Sequence, residues 1–166
     1  VHPSDMCVAL AALNATVHVS GAKGEKKISF VDFHRLPGDT PQLDNNLQTG
    51  ELITAVHIPA NRFNKSYYLK VRDSLSYAVA LAPVAVALEV SDGVIKSASI
   101  AMGGVAHKPW RLTVVEKFLI GKTIAHQVFT EASAIAMEGA KTYTHNAYKI
   151  ALSKAAIVEA LTKATS

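Results

Sequence analysis

The sequence predicts an α+β fold in which an antiparallel sheet is covered by C-terminal helices. Two observations carry that expectation. Strand-like segments and tight turns fill the chain up to Arg111, and helical periodicity takes over after it. Ser91-Asp92-Gly93 also sits between two alternating apolar runs, a strong hairpin signal because glycine tolerates positive φ. Strands followed by helices, not alternating with them, argue for a segregated α+β layer structure.

The elements follow in order. Ser4 or Asp5 can cap a helix, and the Ala/Leu-rich run from Met6 to Leu13 favours it, with Asn14 at its end. Thr16 to Ser20 alternates as a strand, Gly21 to Gly24 is a turn, and Lys27 to Phe30 is a second strand. Val31 to Leu36 reads as a short helical turn, and the breaker-rich stretch from Pro37 to Asn46 as a loop. Leu52 to Ile58 is a strand ended by Pro59. Asn61 to Lys65 is a polar connector and the best domain boundary. Ser66 to Val71 is strand-like. Pro83 to Val90 and Val94 to Met102 form the hairpin. Thr113 to Ile120 is a short helix closed by Gly121. Thr123 can cap the next helix, whose apolar face carries Ile124, Val128, Ala132 and Ile135. Asn146 can cap the last, with Ala147, Ile150, Ala151, Ile157, Val158 and Leu161 on one face.

Composition excludes several classes. With 49% hydrophobic and 18% charged residues, the 166-residue chain has the material for a core and is not disordered. Its net charge of +4 is spread out, without the basic stripe and interleaved aromatics of a nucleic-acid binder. No apolar run reaches the roughly 18 residues of a membrane span. Cys7 is the single cysteine, so no intrachain disulfide forms, and its Ala/Leu surroundings suit a small buried residue.

Local chemistry is sparse. The seven histidines show no pairing at metal-ligand spacing, so no metal site is expected in this chain. Gly121-Lys122-Thr123 resembles the end of a phosphate loop, but Glu116 stands where the first glycine is needed. No Gly-x-Ser-x-Gly nucleophile elbow is present. Ser4 and Asp5 are explained by capping, or by a ligand at a helix N-terminus. Lys70 is a surface cation at a strand end, or a cation facing a redox ring, where its charge would stabilise the reduced anion. Gly103-Gly104 is an ordinary turn or a point of close approach. Trp110-Arg111 suits either an interface anchor or a lid over the end of the sheet.

Four motifs, read together, go further: His2-Pro3-Ser4-Asp5-Met6 before an Ala/Leu helix; Leu36 to Pro41 followed by Gly50 to Ile53; Tyr68 to Asp73 with Ser76-Tyr77-Ala78; and Gly103 to Arg111. In this order and spacing they resemble the flavoprotein subunit ("subunit M") of the molybdenum hydroxylases, the xanthine dehydrogenase, aldehyde oxidoreductase and carbon monoxide dehydrogenase family. The resemblance covers nearly the whole chain.

It implies residues 1–60 as the end of a second FAD-binding lobe and 65–166 as a flavoprotein C-terminal domain. It implies FAD as cofactor, on a partial site, with molybdopterin and [2Fe-2S] clusters on partner subunits. The implied role is to pass electrons from those clusters through FAD to an acceptor, as part of a subunit of an FAD-dependent oxidoreductase complex, this fragment being inactive alone. The alternative is a structural or subunit-docking module without flavin. By position the resemblance assigns Ser4, Asp5, Ile53 and Lys70 to FAD. It implies a cytoplasmic protein, with periplasmic members of the family as the alternative. The family's glycine-rich pyrophosphate loop and its cysteine-bearing insert are not in this sequence. Ser74, Asn14, Ala155 and Glu159 depart from the residues the pattern leads one to expect.

Overall fold

The structure is a computed structural model and describes residues 2–74 and 79–166. Ser76-Tyr77-Ala78, part of the third motif, lies outside the described residues. The order is α1 (Asp5–Ala12), β1 (Thr16–Gly21), β2 (Gly24–Ser29), α2 (Phe30–Phe33), β3 (Leu52–His57), β4 (Lys65–Leu69), β5 (Val84–Ser91), β6 (Val94–Met102), β7 (Trp110–Arg111), α3 (Thr113–Leu119), α4 (His126–Ala136) and α5 (Tyr148–Thr165).

Two antiparallel sheets form, one of three strands in the order β2-β1-β3 and one of four in the order β4-β5-β6-β7. Val84, Val86 and Leu88 alternate along β5 toward the helical layer, where they meet Ile100 and Met102 of β6, Val115 and Leu119 of α3, Phe129 of α4, and Ile157 and Leu161 of α5. Each large side chain fully buried there contributes about 1.5–3 kcal/mol. This is the expected sheet under C-terminal helices.

The opposite face of the four-stranded sheet is not bare. Ala85 and Ala101 point there and pack with Val8, Ala11 and Ala12 of α1, Val17 and Val19 of β1, and Phe30 and Phe33 of α2. Small residues on that face let α1 lie close, and Ser99 Oγ donates to the Ala12 carbonyl. So α1 is shared: it packs on the second sheet as well as on its own. The connector before β4 is also tied down. The Asn64 side chain donates to the Val90 carbonyl at 2.8 Å and accepts from Val90 N at 2.9 Å.

Some boundaries move for physical reasons. Phe30 leaves β2 and opens α2, which ends at Phe33 and not at Leu36. Thr123 does not cap α4, because it bridges to Val94 while Ile124 N donates to the Gly93 carbonyl; the helix starts after Ala125. Asn146 turns its side-chain oxygen back to Tyr143 N at 2.6 Å, so Ala147 takes the cap position of α5. The buried stripe of α5 is rotated from the expected one: Ala156, Ala160 and Ala164 join Ile157 and Leu161, while Ala147 and Ala151 are exposed. The Asp92-Gly93 turn has positive φ at both residues, 54° and 71°, the geometry of a two-residue hairpin. No helix among the described residues is long and apolar enough to cross a membrane.

Candidate functional site at the start of helix α1

Three of the four expected residues meet at the N-terminus of α1. Ser4 is the N-cap, and its hydroxyl accepts from Cys7 N at 3.3 Å. Asp5 opens the first turn, where a carboxylate is favoured by the helix dipole. Lys70, just past β4, reaches across so that Nζ lies 2.8 Å from Asp5 Oδ2. Their side chains remain 35% and 37% exposed, so the pair is worth no more than about 1 kcal/mol and opens at little cost. Ile53 is elsewhere. It lies exposed on β3, paired in register with Val19 of β1 in the other sheet.

Tyr68, which opens the third motif and carries no role in the sequence pattern, belongs with this group. Its hydroxyl is buried beside the Asp5 carboxylate, close enough to interact with it but short of a well-formed hydrogen bond. Burial, and next the negative charge of Asp5, push its pKa well above the ordinary phenolic value. It is therefore a neutral donor facing a site whose other groups are charged. A tyrosine two residues before the strand-end lysine leans to the same side of β4, which is the signal that could have found it.

The twin glycines close the back of this corner. A Cβ on Gly103 would sit 2.7 Å from Val8 Cγ2 and 2.8 Å from Pro83 Cγ, so the backbone approaches α1 as only glycine permits. Gly104 has φ of 71°, and a Cβ there would lie 2.4 Å from the Leu81 carbonyl oxygen. The cleft between Ser4, Asp5, Ala80 and the two glycines holds about 20 Å³. That is room for about one water molecule and not for a larger ligand. A ligand must lie across Asp5 and Lys70 from outside and not enter the cleft. A larger cavity, about 500 Å³, lies on the other side of Gly104; it is also lined by Val105, His107, Tyr143, Lys149 and Ser153.

Arg111 faces inward. Its Nε and Nη2 donate to the Glu116 carboxylate at 2.8 and 3.0 Å, and Nη1 donates to the Ala11 carbonyl at 2.7 Å and to Asn14 Oδ1 at 2.6 Å. Its donors hold the far end of α1, which leaves the interface-anchor reading to Trp110, whose side chain is exposed. Asn14 sits at φ of 54° and accepts from Arg111, and nothing in the structure explains asparagine over the expected aspartate there, since both tolerate that conformation. Nine residues along from Asp5, it lies about 13 Å away at the helical rise.

The N-terminus also gathers residues that spacing did not. His2 Nε2 is 3.2 Å from Cys7 Sγ, and the His2 and His34 rings have centroids 4.2 Å apart. Cys7 is half-buried beside His2 and not an inert core residue. Burial first, then the positive charges of His2 and Lys108, lower the His34 pKa to about 4 against a smaller opposing effect of Asp44.

Known proteins resemble this chain over nearly its whole length. Residues 66–164 match the family described as CO dehydrogenase flavoprotein C-terminal domain. The chain belongs to that family. Residues 1–61 match a second family, FAD binding domain in molybdopterin dehydrogenase. The aldehyde oxidoreductase FAD-binding subunit PaoB of Escherichia coli is 39% identical over 166 residues, covering 98% of this chain and 48% of that protein. The glyceraldehyde dehydrogenase medium chain of Sulfolobus acidocaldarius is 41% identical over 122 residues, covering 73% of this chain and 41% of that one. The chain thus spans about half the length of the curated relatives it matches. Among solved structures, quinoline 2-oxidoreductase from Pseudomonas putida 86 superimposes with a TM-score of 0.84 at 24% identity, over 98% of this chain and 56% of that one. A carbon monoxide dehydrogenase from Hydrogenophaga pseudoflava gives 0.85 at 21%, over 97% and 59%. At these identities the two structures attest the fold.

Proposed function

We propose that this chain forms one wall of an FAD site in the flavoprotein subunit of a molybdenum-containing hydroxylase of the aldehyde oxidoreductase or xanthine dehydrogenase type. In this reading residues 1–60 are the end of the second FAD-binding lobe and 65–166 the C-terminal domain. Partner subunits carry the molybdenum cofactor and the [2Fe-2S] clusters. The observation that carries the reading is the meeting of Ser4, Asp5 and Lys70 at one helix N-terminus, 2.8 Å between the charged pair, from opposite sides of the connector.

The residues suit the cofactor. Asp5 accepts from ring or ribose N–H and O–H groups, and the first-turn backbone N–H groups donate to carbonyl or anionic oxygens. The Tyr68 hydroxyl beside Asp5 offers a further donor. Lys70 leaves its weak pair with Asp5 to face the ring. FAD supplies the redox chemistry, taking electrons from the iron–sulfur clusters and passing them to an acceptor. Lys70 sets how readily, since a cation beside the ring favours its reduced anion. Ile53 is assigned to the ring's apolar flank, on the exposed strand β3.

The test uses the full-length subunit. Lys70→Met should weaken FAD binding and lower the flavin potential by about 30 mV, the equivalent of about 1.4 kcal/mol for two electrons. Asp5→Asn should weaken binding without that shift. A subunit with no flavin absorbance even after FAD addition, or variants that bind FAD with unchanged affinity and potential, would refute the proposal.

A further inference from the structure

His2, Cys7 and His34 reach one point from three places: the segment before α1, the first turn of α1, and the residue after α2. One candidate ligand atom from each lies within 4.8 Å of the other two. The closest contact, His2 Nε2 to Cys7 Sγ, is 3.2 Å. His34 is only 9% exposed, and its Nδ1 has no hydrogen-bond partner among the described residues. A cap on α1 requires Ser4 alone; His34 packs edge-on against Phe30 and Phe33, but that packing does not call for His2 and Cys7 beside it.

We propose that His2, Cys7 and His34 form a binding site for a Zn²⁺ ion. In a tetrahedral site with ordinary Zn–S and Zn–N lengths, neighbouring ligand atoms lie about 3.3–3.6 Å apart. The three side chains need only close by about an ångström to meet that shape, within the reach of small χ adjustments. The donor set is borderline to soft, which favours zinc over the oxygen-seeking Mg²⁺ and Ca²⁺. The fourth position faces a cavity of about 330 Å³ lined by His2, Pro3, His34, Asp44, Asn45 and His107. That cavity is the entry path, and water or a side chain from its wall completes the shell. On binding, the Cys7 thiol loses its proton to solvent, both imidazoles donate as neutral bases, and no electrons move. The ion ties the segment ahead of α1 to the segment after α2. It thereby fixes the start of the helix that presents Ser4 and Asp5, whether or not those residues touch a flavin.

The experiment titrates the reduced chain with Zn²⁺ by calorimetry and with Co²⁺ by absorbance. Cys7 is the only cysteine, so a thiolate-to-cobalt charge-transfer band reports this site. One ion per chain is expected. Loss of a supporting partner outside the ligand shell typically weakens metal binding roughly 10–100-fold, so His2→Ala and His34→Gln should each cost at least that much. His145→Ala, at an exposed position, should change nothing. Absence of the charge-transfer band, or unchanged affinity in His2→Ala, would overturn the proposal. So would an equal loss in His145→Ala. Should His34→Gln fail to fold by circular dichroism, the half-buried His2 position decides alone.

Discussion

Replacing Glu116 by Gln probes what holds α1 to the rest of the chain. Glu116 is 8% exposed, and its carboxylate accepts from Ile100 N at 2.7 Å as well as from Arg111 at 2.8 and 3.0 Å. Glutamine keeps the volume, and its oxygen can retain two of those three bonds. Its amide nitrogen then faces Arg111 Nη2, donor against donor. Arg111, with a side chain 15% exposed, loses its counter-charge. Removing one partner of a buried pair costs about 3–5 kcal/mol. Two retained bonds reduce the expected loss to about 2–3 kcal/mol, a large share of the 5–15 kcal/mol typical of whole domains. With a urea m-value near 2 kcal/mol/M, the midpoint should fall by about 1–1.5 M. Arg111→Met should destabilise similarly and speed hydrogen exchange in α1, because Arg111 also holds the Ala11 carbonyl and Asn14. The double variant should then fall short of the sum by about 1 kcal/mol or more. A midpoint shift under about 0.3 M, or additivity within about 0.3 kcal/mol, would show that the pair does not couple these elements.

Three further outcomes follow from the same geometry. Gly104→Ala should cost at least about 2 kcal/mol, because a left-handed φ meets the immovable Leu81 carbonyl; Gly139→Ala, at φ of 73° with open space, should cost about 1 kcal/mol, and equal losses would refute the steric argument. His34 stays neutral in the fold down to a pKa of about 4, whereas the unfolded chain protonates it near 6.5. The unfolded state therefore binds the extra proton, and stability, complete above pH 6.5, should fall by about 2–3 kcal/mol as pH drops toward 4. His34→Gln should flatten that slope in chelator-treated urea titrations, and an unchanged slope would assign the acid loss to other groups. Tyr68→Phe should change stability by less than about 1 kcal/mol, since the buried hydroxyl makes no well-formed bond to the neighbouring Asp5 carboxylate; a loss of about 2 kcal/mol would mean that the Tyr68–Asp5 bond is fully made.

Much of the scaffold was legible from sequence because its causes are local. Ser4 caps α1 through a bond three residues away, Asp92-Gly93 forces the hairpin, and alternation along β5 sends Val84, Val86 and Leu88 to one side. Where local cues misled, another partner had claimed the residue: Thr123 was taken by Val94 far back in the chain, and Asn146 by the turn at Tyr143, so neither caps its helix.

The site divides in the same way. Sequence by itself placed Ser4 and Asp5 at a helix start and Lys70 at a strand end, and the ordered motifs indicated the family. Only the packing of α1 against both sheets brought Lys70 to Asp5, buried the Tyr68 hydroxyl beside them and turned Arg111 toward Glu116. The same packing collected His2, Cys7 and His34. Periodicity records which face of an element is apolar, a property of neighbours within a turn or two. Which polar groups then share a corner depends on how those faces dock, and no spacing along the chain encodes it.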